Sequence, residues 1–152
     1  MDTPPPFIRP AVFSDLPQII RLCADHAAYE RSDYQTYGKA EQLAGLLFGD
    51  APAINCLVVE GQFGLIGYAT YTIQFSTWDA DQYGYLDCLY LDEEARNRGI
   101  GGQLMHAVKS ALVNKGINSM QWQTPEFNVD AIRFYERLGG VRKTKERFFW
   151  HT

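Results

Sequence analysis

The densest chemistry in the 152-residue chain lies in Tyr90-Leu91-Asp92-Glu93-Glu94-Ala95-Arg96-Asn97-Arg98-Gly99-Ile100-Gly101-Gly102. An apolar run enters a glycine-rich loop, and an amphipathic run leaves it. Such a loop, opening a helix, leaves backbone N–H groups unpaired at the positive end of the helix dipole, which makes a cradle for phosphate. Gly99, Gly101 and Gly102 remove the side chains that would hold a ligand off the backbone, and Arg96 and Arg98 add attraction for a polyphosphate. Two nucleotide motifs are excluded. A P-loop needs Lys-Ser or Lys-Thr after the glycines, and none stands at that spacing. A dinucleotide fingerprint needs a third glycine where Leu104 stands and an acidic residue where Gln121 and Gln123 stand. The pattern that survives is R-x-x-G-x-G, Arg96 to Gly101.

Other reactive residues are scattered. Cys23, Cys56 and Cys88 form neither a C-x-x-C pair nor a disulfide framework, and they read as reduced thiols of a cytoplasmic protein. His26, His106 and His151 show no metal-ligand spacing, so no metal is expected and each histidine reads as solvated or core.

The elements that must position the loop follow from periodicity. Phe7 to Arg9 reads as a strand ended by Pro10, and Ser14 or Asp15 then caps a helix with Leu16, Ile19, Ile20, Cys23 and Ala27 on one face. A short helix covers Ala40 to Phe48. Cys56 to Glu60 and Leu65 to Phe75 form a hairpin about Gly61 to Gly64, and Tyr83 to Leu91 is a third long strand. A helix from about Gly101 to Lys115 follows, then a strand at Met120 to Gln123, a helix at Val129 to Leu138 and a last strand at Arg147 to Trp150. The expected fold is one α/β domain over residues 1–152, with a mixed, mostly antiparallel sheet flanked by helices; residues 1–6 are expected to be a flexible tail.

With 46% hydrophobic and 14% aromatic residues, the chain can bury a core and is not disordered. No run approaches the ~20 apolar residues of a membrane span, and no basic segment precedes an apolar one as in a signal peptide, so no membrane partner is expected. Residues 1–95 hold fourteen acidic against four basic residues, a net −10, while residues 96–152 hold four against ten, a net +6. The halves are thus suited to partners of opposite charge. Nucleic acid is not expected, since Asp92, Glu93 and Glu94 beside Arg96 would repel a phosphate backbone.

The Arg96 to Gly101 pattern resembles the pyrophosphate-binding signature of the GNAT family of acyl-CoA-dependent N-acetyltransferases. Ile8-Arg9-Pro10-Ala11 before the first helix is similar to that family's opening, and Asn128 with Tyr135 seven residues later is similar to its late helix. Tyr29-Glu30, Tyr85-Leu86-Asp87 and Phe134-Tyr135 resemble the diamine and polyamine subgroup, the spermidine/spermine and thialysine type. In one departure, Cys88 stands where that subgroup has the second carboxylate of a pair.

The resemblance implies acetyl-CoA as cosubstrate, with Leu89, Tyr90 and Leu91 pairing with its pantetheine arm, Arg96, Asn97, Arg98, Gly99, Ile100, Gly101 and Gly102 holding its pyrophosphate, and Asn128 and Ala131 contacting the arm. Asp87 would bind the acceptor ammonium and take its proton, directly or through water, and Tyr135 would protonate the departing thiolate. Tyr29, Glu30, Trp78 and Glu146 would complete the amine pocket, Trp78 within Thr77-Trp78-Asp79-Ala80-Asp81. Related enzymes are often dimers, so a homodimer is expected. An antibiotic aminosugar or a protein amine is an alternative acceptor, and a silent CoA-binding module is the alternative without chemistry. An acetyl-cysteine route through Cys88 is disfavoured, since no histidine shares its motif.

Overall fold

A single buried carboxylate organises the start of the chain. In the computed structural model, which describes residues 2–152, Asp15 is 4% exposed. It accepts a two-pronged pair of hydrogen bonds from Arg9, Nη1 at 2.7 Å and Nη2 at 2.9 Å, and a third from the Val12 amide at 2.8 Å. Arg9 Nε also reaches Glu60 at 2.7 Å, so one guanidinium joins three segments. Asp15 occupies the cap position of the first helix without capping it by a side-chain hydrogen bond. Its oxygens are committed to Arg9 and Val12, which explains why Arg9 accompanies the helix start.

Five strands lie in chain order across one sheet: β1 (Phe7–Pro10), β2 (Asn55–Gly61), β3 (Gly64–Ser76), β4 (Asp81–Leu91) and β5 (Met120–Trp122). The first four are antiparallel neighbours, and β5 joins β4 in parallel. The mixed sheet expected from the sequence is therefore present, flanked by α1 (Leu16–Tyr29), α2 (Lys39–Phe48), α3 (Ile100–Asn114) and α4 (Val129–Arg137). One core packs α1 and α2 on the sheet through Ile19, Leu22, Leu47, Val58 and Tyr68. The other packs α3 through Leu104, Met105, Val108 and Leu112, with Phe134 and Tyr135 of α4 against it.

Most boundaries fall within two residues of expectation, and the end of the chain differs. Residues 141–152 contain neither helix nor strand, so the strand expected at Arg147 to Trp150 does not form. A strand exists only where a neighbour completes its ladder, and among the described residues these pair with none. Phe148, Phe149 and Trp150 are 90%, 77% and 92% exposed. Of the expected tail, residues 2–6 carry no regular structure, and Met1 lies outside the described residues.

The Arg9 pair holds the Asp15 carboxyl below its usual range. A carboxylate with a depressed folded pKa adds stability that is present above about pH 4 and is lost as pH falls through the folded value. Asp15→Asn is therefore expected to cost about 2–3 kcal/mol in urea unfolding at pH 7, and the gap from wild type should narrow toward pH 3.

Candidate active site

The site forms where β4 changes phase. Thr70 of β3 pairs with Cys88 and Tyr71 with Leu86, which leaves Asp87 without a partner, the extra residue of a β-bulge. Leu86 before the bulge and Leu89 and Leu91 after it all face the α3 core, while Cys88 and Tyr90 face the α1 core. A regular strand cannot send residues 86, 89 and 91 to one face, because its alternation has period two. The bulge supplies the missing step and turns Asp87 to solvent.

The parallel pairing with β5 stops at the same point. It covers Gly84 to Leu86 only, so from Asp87 to Leu91 the far edge of β4 meets no strand. Leu89, Tyr90 and Leu91 thus line an open edge beside the glycine-rich loop. In that loop the amides of residues 97–102 find no acceptor among the described residues; the first to do so is Gln103, bonded to Gly99 O at 3.2 Å. Gly99 takes φ +76° at the helix start, which a side chain resists. Gly101 also carries a packing constraint, since a Cβ there would come within 3.2 Å of the Phe134 ring. Its lack of a side chain seats α4 against α3. Ile100 is buried, whereas Asn97, Arg98 and Gly99 are exposed.

Arg96 turns away from these amides. Its Nε donates to Leu91 O at 3.0 Å, and its guanidinium lies 4.6 Å from the Tyr29 ring and 5.4 Å from the Tyr90 ring. The Tyr29 hydroxyl donates in turn to Asn128 Oδ1 at 3.1 Å, and Arg31 covers the Phe127 ring at 4.0 Å. The end of α1 is thereby tied to the loop before α4, across the open edge of β4. A cavity of about 170 Å³ lies along this tie, lined by Tyr29, Arg31, Phe127, Asn128, Val129 and Asp130. Asn128 also caps α4, accepting from the Ala131 amide at 3.4 Å. Its Oδ1 is thus shared, and its Nδ2 has only a long contact to Thr124 at 3.4 Å.

Tyr135 projects from α4 against Trp122, ring centroids 5.3 Å apart. Burial first, then the negative charge of Glu30, pushes its phenol up to about 12. Cys88 lies 3.7 Å from the Asp87 carboxylate, and burial and that charge push its thiol up to about 12. It stays a thiol at neutral pH, which disfavours nucleophilic use.

Tyr29, Glu30, Asp87, Tyr90, Arg96, Asn128 and Tyr135 are thus brought into one neighbourhood. Trp78 is not. It is 98% exposed in the β3–β4 turn, and Asp81, which opens β4, is already six residues, roughly 20 Å, from Asp87. Glu146 is exposed in the segment after α4. His26, which the sequence left as solvated or core, stands inside the cluster, stacked on Tyr90 and hydrogen-bonded to Tyr68. Its spacing of four from Glu30 on α1 was the available signal. Among the described residues no group of three His, Cys, Asp or Glu side chains is placed to hold a metal, and no helix is long and apolar enough to cross a membrane.

A sheet that opens beside a bulge, next to a helix N-terminus with free amides, is suited to an extended ligand that ends in phosphate. Residues 19–140 match the Acetyltransferase (GNAT) family, and the chain belongs to that family. It is 30% identical over 152 residues to thialysine N-epsilon-acetyltransferase of Bos taurus, covering 95% of this chain and 88% of that one. It is 26% identical to the spermidine/spermine N(1)-acetyltransferase-like protein 1 of Homo sapiens, covering 95% of this chain and 21% of that protein. A possible acetyltransferase from Clostridium difficile 630 has the same fold, with TM-score 0.81 at 21% identity and 97% of each chain covered. These relatives agree with the diamine and polyamine subgroup resemblance.

Arg96→Lys would keep the charge and lose the planar group that stacks on Tyr29 and Tyr90. We expect a loss of about 1 kcal/mol, read as a drop of roughly 3 °C in the thermal midpoint by circular dichroism.

Proposed function

We propose that the chain transfers the acetyl group of acetyl-CoA to a primary amine of a small cationic acceptor, of diamine or polyamine type, by direct attack in a ternary complex. The observation that carries this is the Asp87 bulge. It ends the β4–β5 pairing between a loop of unpaired amides on one side and the anionic end of α1 on the other. The residues fit the cosubstrate: the free amides of residues 97–102 suit a pyrophosphate, and the open edge from Asp87 to Leu91 suits the amide-bearing pantetheine arm as an added strand. Asn128 offers the arm its Nδ2, while the Ala131 amide stays with the cap.

Acetyl-CoA supplies an activated thioester carbonyl. The acceptor, with a pKa near ~10, arrives as an ammonium ion without a lone pair. Asp87 attracts it and removes a proton, directly or through water. The unpaired edge of Leu89 to Leu91 lends N–H groups to polarise the carbonyl. Tyr135 gives its proton to the leaving sulfur. With the phenol raised to about 12 and a thiol near ~8.5, that transfer is uphill by about 5 kcal/mol. This fits within the roughly 16 kcal/mol barrier of a turnover near ~10 per second. The reaction is assigned to the cytoplasm, in keeping with three free cysteines.

Thiol release with thialysine, 1,4-diaminobutane, spermidine, an aminoglycoside and an N-terminal peptide tests the reading. Cationic diamines are expected to give the highest kcat/KM, and the aminoglycoside or the peptide outrunning them would overturn the assignment. Tyr135→Phe should lower kcat by about 10²-fold and leave the acceptor KM within about threefold. Because the phenol titrates at about 12, wild-type kcat should show no falling limb from Tyr135 up to pH 10.

The partner we propose is a second copy. Supporting it, the segment after α4 exposes Val141, Phe148, Phe149 and Trp150 while carrying Arg142, Lys143, Lys145 and Arg147, a basic apolar arm suited to the acidic first half of another chain. Light scattering of full-length protein should give twice the chain mass, and removal of residues 141–152 should give the monomer.

A further inference from the structure

His26 faces the acceptor side of the site, and the mechanism above does not use it. Its side chain is 13% exposed, with Nε2 against Glu30 Oε2 and Nδ1 2.9 Å from the Tyr68 hydroxyl. The ring stacks on Tyr90 at 5.3 Å and 21°, and meets Tyr68 edge-on at 5.9 Å. Both nitrogens and both ring contacts are therefore fixed by three elements, α1, β3 and β4.

The tautomer follows from the partners. The Glu30 carboxylate only accepts, so the proton of the neutral ring sits on Nε2, directed at Glu30. Nδ1 is then bare and accepts from the Tyr68 hydroxyl, which lies buried at 1% exposure. A glutamate at the end of a helix would otherwise sample several rotamers, and a ligand that fixed it would bear that entropy cost. His26 removes that freedom beforehand.

We propose that His26 is a positioning residue for acceptor recognition: its Nε2–H holds the Glu30 carboxylate as an anion presented to the acceptor ammonium, and protonation of the ring cancels that charge. The inference rests on the proposed cationic acceptor, and it extends that reading to a residue the family resemblance did not supply. The groups around the pair are Cys23 and Tyr29 on α1, Tyr68 on β3, Asp87, Cys88 and Tyr90 on β4, Arg96 before α3 and Tyr135 on α4. Burial is the largest influence on His26 and lowers its pKa, with Arg96 in the same direction and Glu30 and Asp87 opposed. At neutral pH the pair thus carries one negative charge. Below the titration of His26 it carries none, and the imidazolium repels the acceptor.

The test measures acceptor binding by calorimetry from pH 7.5 to 5.0, with thialysine and 1,4-diaminobutane as probes, whose side-chain and terminal amines stay charged throughout. Wild-type affinity should fall as the pH drops through the titration of His26, which burial moves below its ordinary value. His26→Phe keeps a ring against Tyr90 and should raise the acceptor KM by about tenfold, with the acetyl-CoA KM unchanged. His26→Gln restores an N–H toward Glu30 without a titratable group; it should recover the affinity to within about threefold and flatten the pH dependence. Glu30→Gln should cost at least as much as His26→Phe, and the double variant no more than Glu30→Gln alone. Equal acceptor KM in wild type and both His26 variants would overturn the proposal, as would parallel changes in the acetyl-CoA KM. A wild type that releases no thiol with either probe would instead overturn the acceptor reading on which it rests.

Discussion

Strand β4 must feed two cores and one site, and a regular strand has only two faces. Leu86, Leu89 and Leu91 belong to the α3 core, Cys88 and Tyr90 to the α1 core, and Asp87 to solvent. One extra residue reconciles these demands. Without it, everything beyond position 87 would exchange faces, sending Leu89 and Leu91 toward α1 and Cys88 and Tyr90 toward α3. The bulge also sits where the pairing with β5 ends, so phase change and open edge are one event in the backbone. The chemistry is located by a packing requirement, and Asp87 is available because no neighbour strand claims it.

The two layers of helices then meet across that edge. Arg96 lies near both Tyr29 and Tyr90 and holds Leu91 O, while Tyr29 bonds to Asn128. The charge division of the chain acquires a more specific meaning here. Arg96, the first residue of the +6 half, is placed among aromatic residues of the −10 half rather than against the free amides of the glycine-rich loop. Four of the ten basic residues of the second half, Arg142, Lys143, Lys145 and Arg147, lie in the arm after α4. In the proposed reading, attraction for a cofactor phosphate therefore depends more on backbone amides and Arg98 than on the net charge of the half.

Periodicity made the helices and long strands legible, because the faces of α1, α3 and β3 repeat at the periods their cores require. The loop and Tyr135 were legible through motif spacing. The bulge was not, since Asp87 flanked by Leu86 and Cys88 looks like ordinary alternation and the extra residue exists only relative to β3. A packing limit on Gly101 was hidden for a similar reason: it is set by the Phe134 ring, thirty-three residues away in the chain. The last strand failed because aromatic content near Phe148 suits a strand, yet a strand needs an edge to pair with, and the single chain offers these residues none.

The acidic surroundings of Tyr135 have two consequences that pull in opposite directions. In the proposed reaction, Glu30 and burial hold the phenol protonated, so the acid is always ready, but the same charge makes a tyrosinate costly once the proton has gone. A general acid in that position serves best if its proton leaves late, as the carbon–sulfur bond breaks, and returns at once. The acceptor ammonium loses two protons on becoming an amide, and the sulfur gains one. An incoming cation beside Glu30 offsets the negative charge that burdens Tyr135, while its departure as a neutral amide restores it. The carboxylate that draws the acceptor in would thus also keep the acid protonated for the next turnover, which couples acceptor recognition to leaving-group protonation through charge alone.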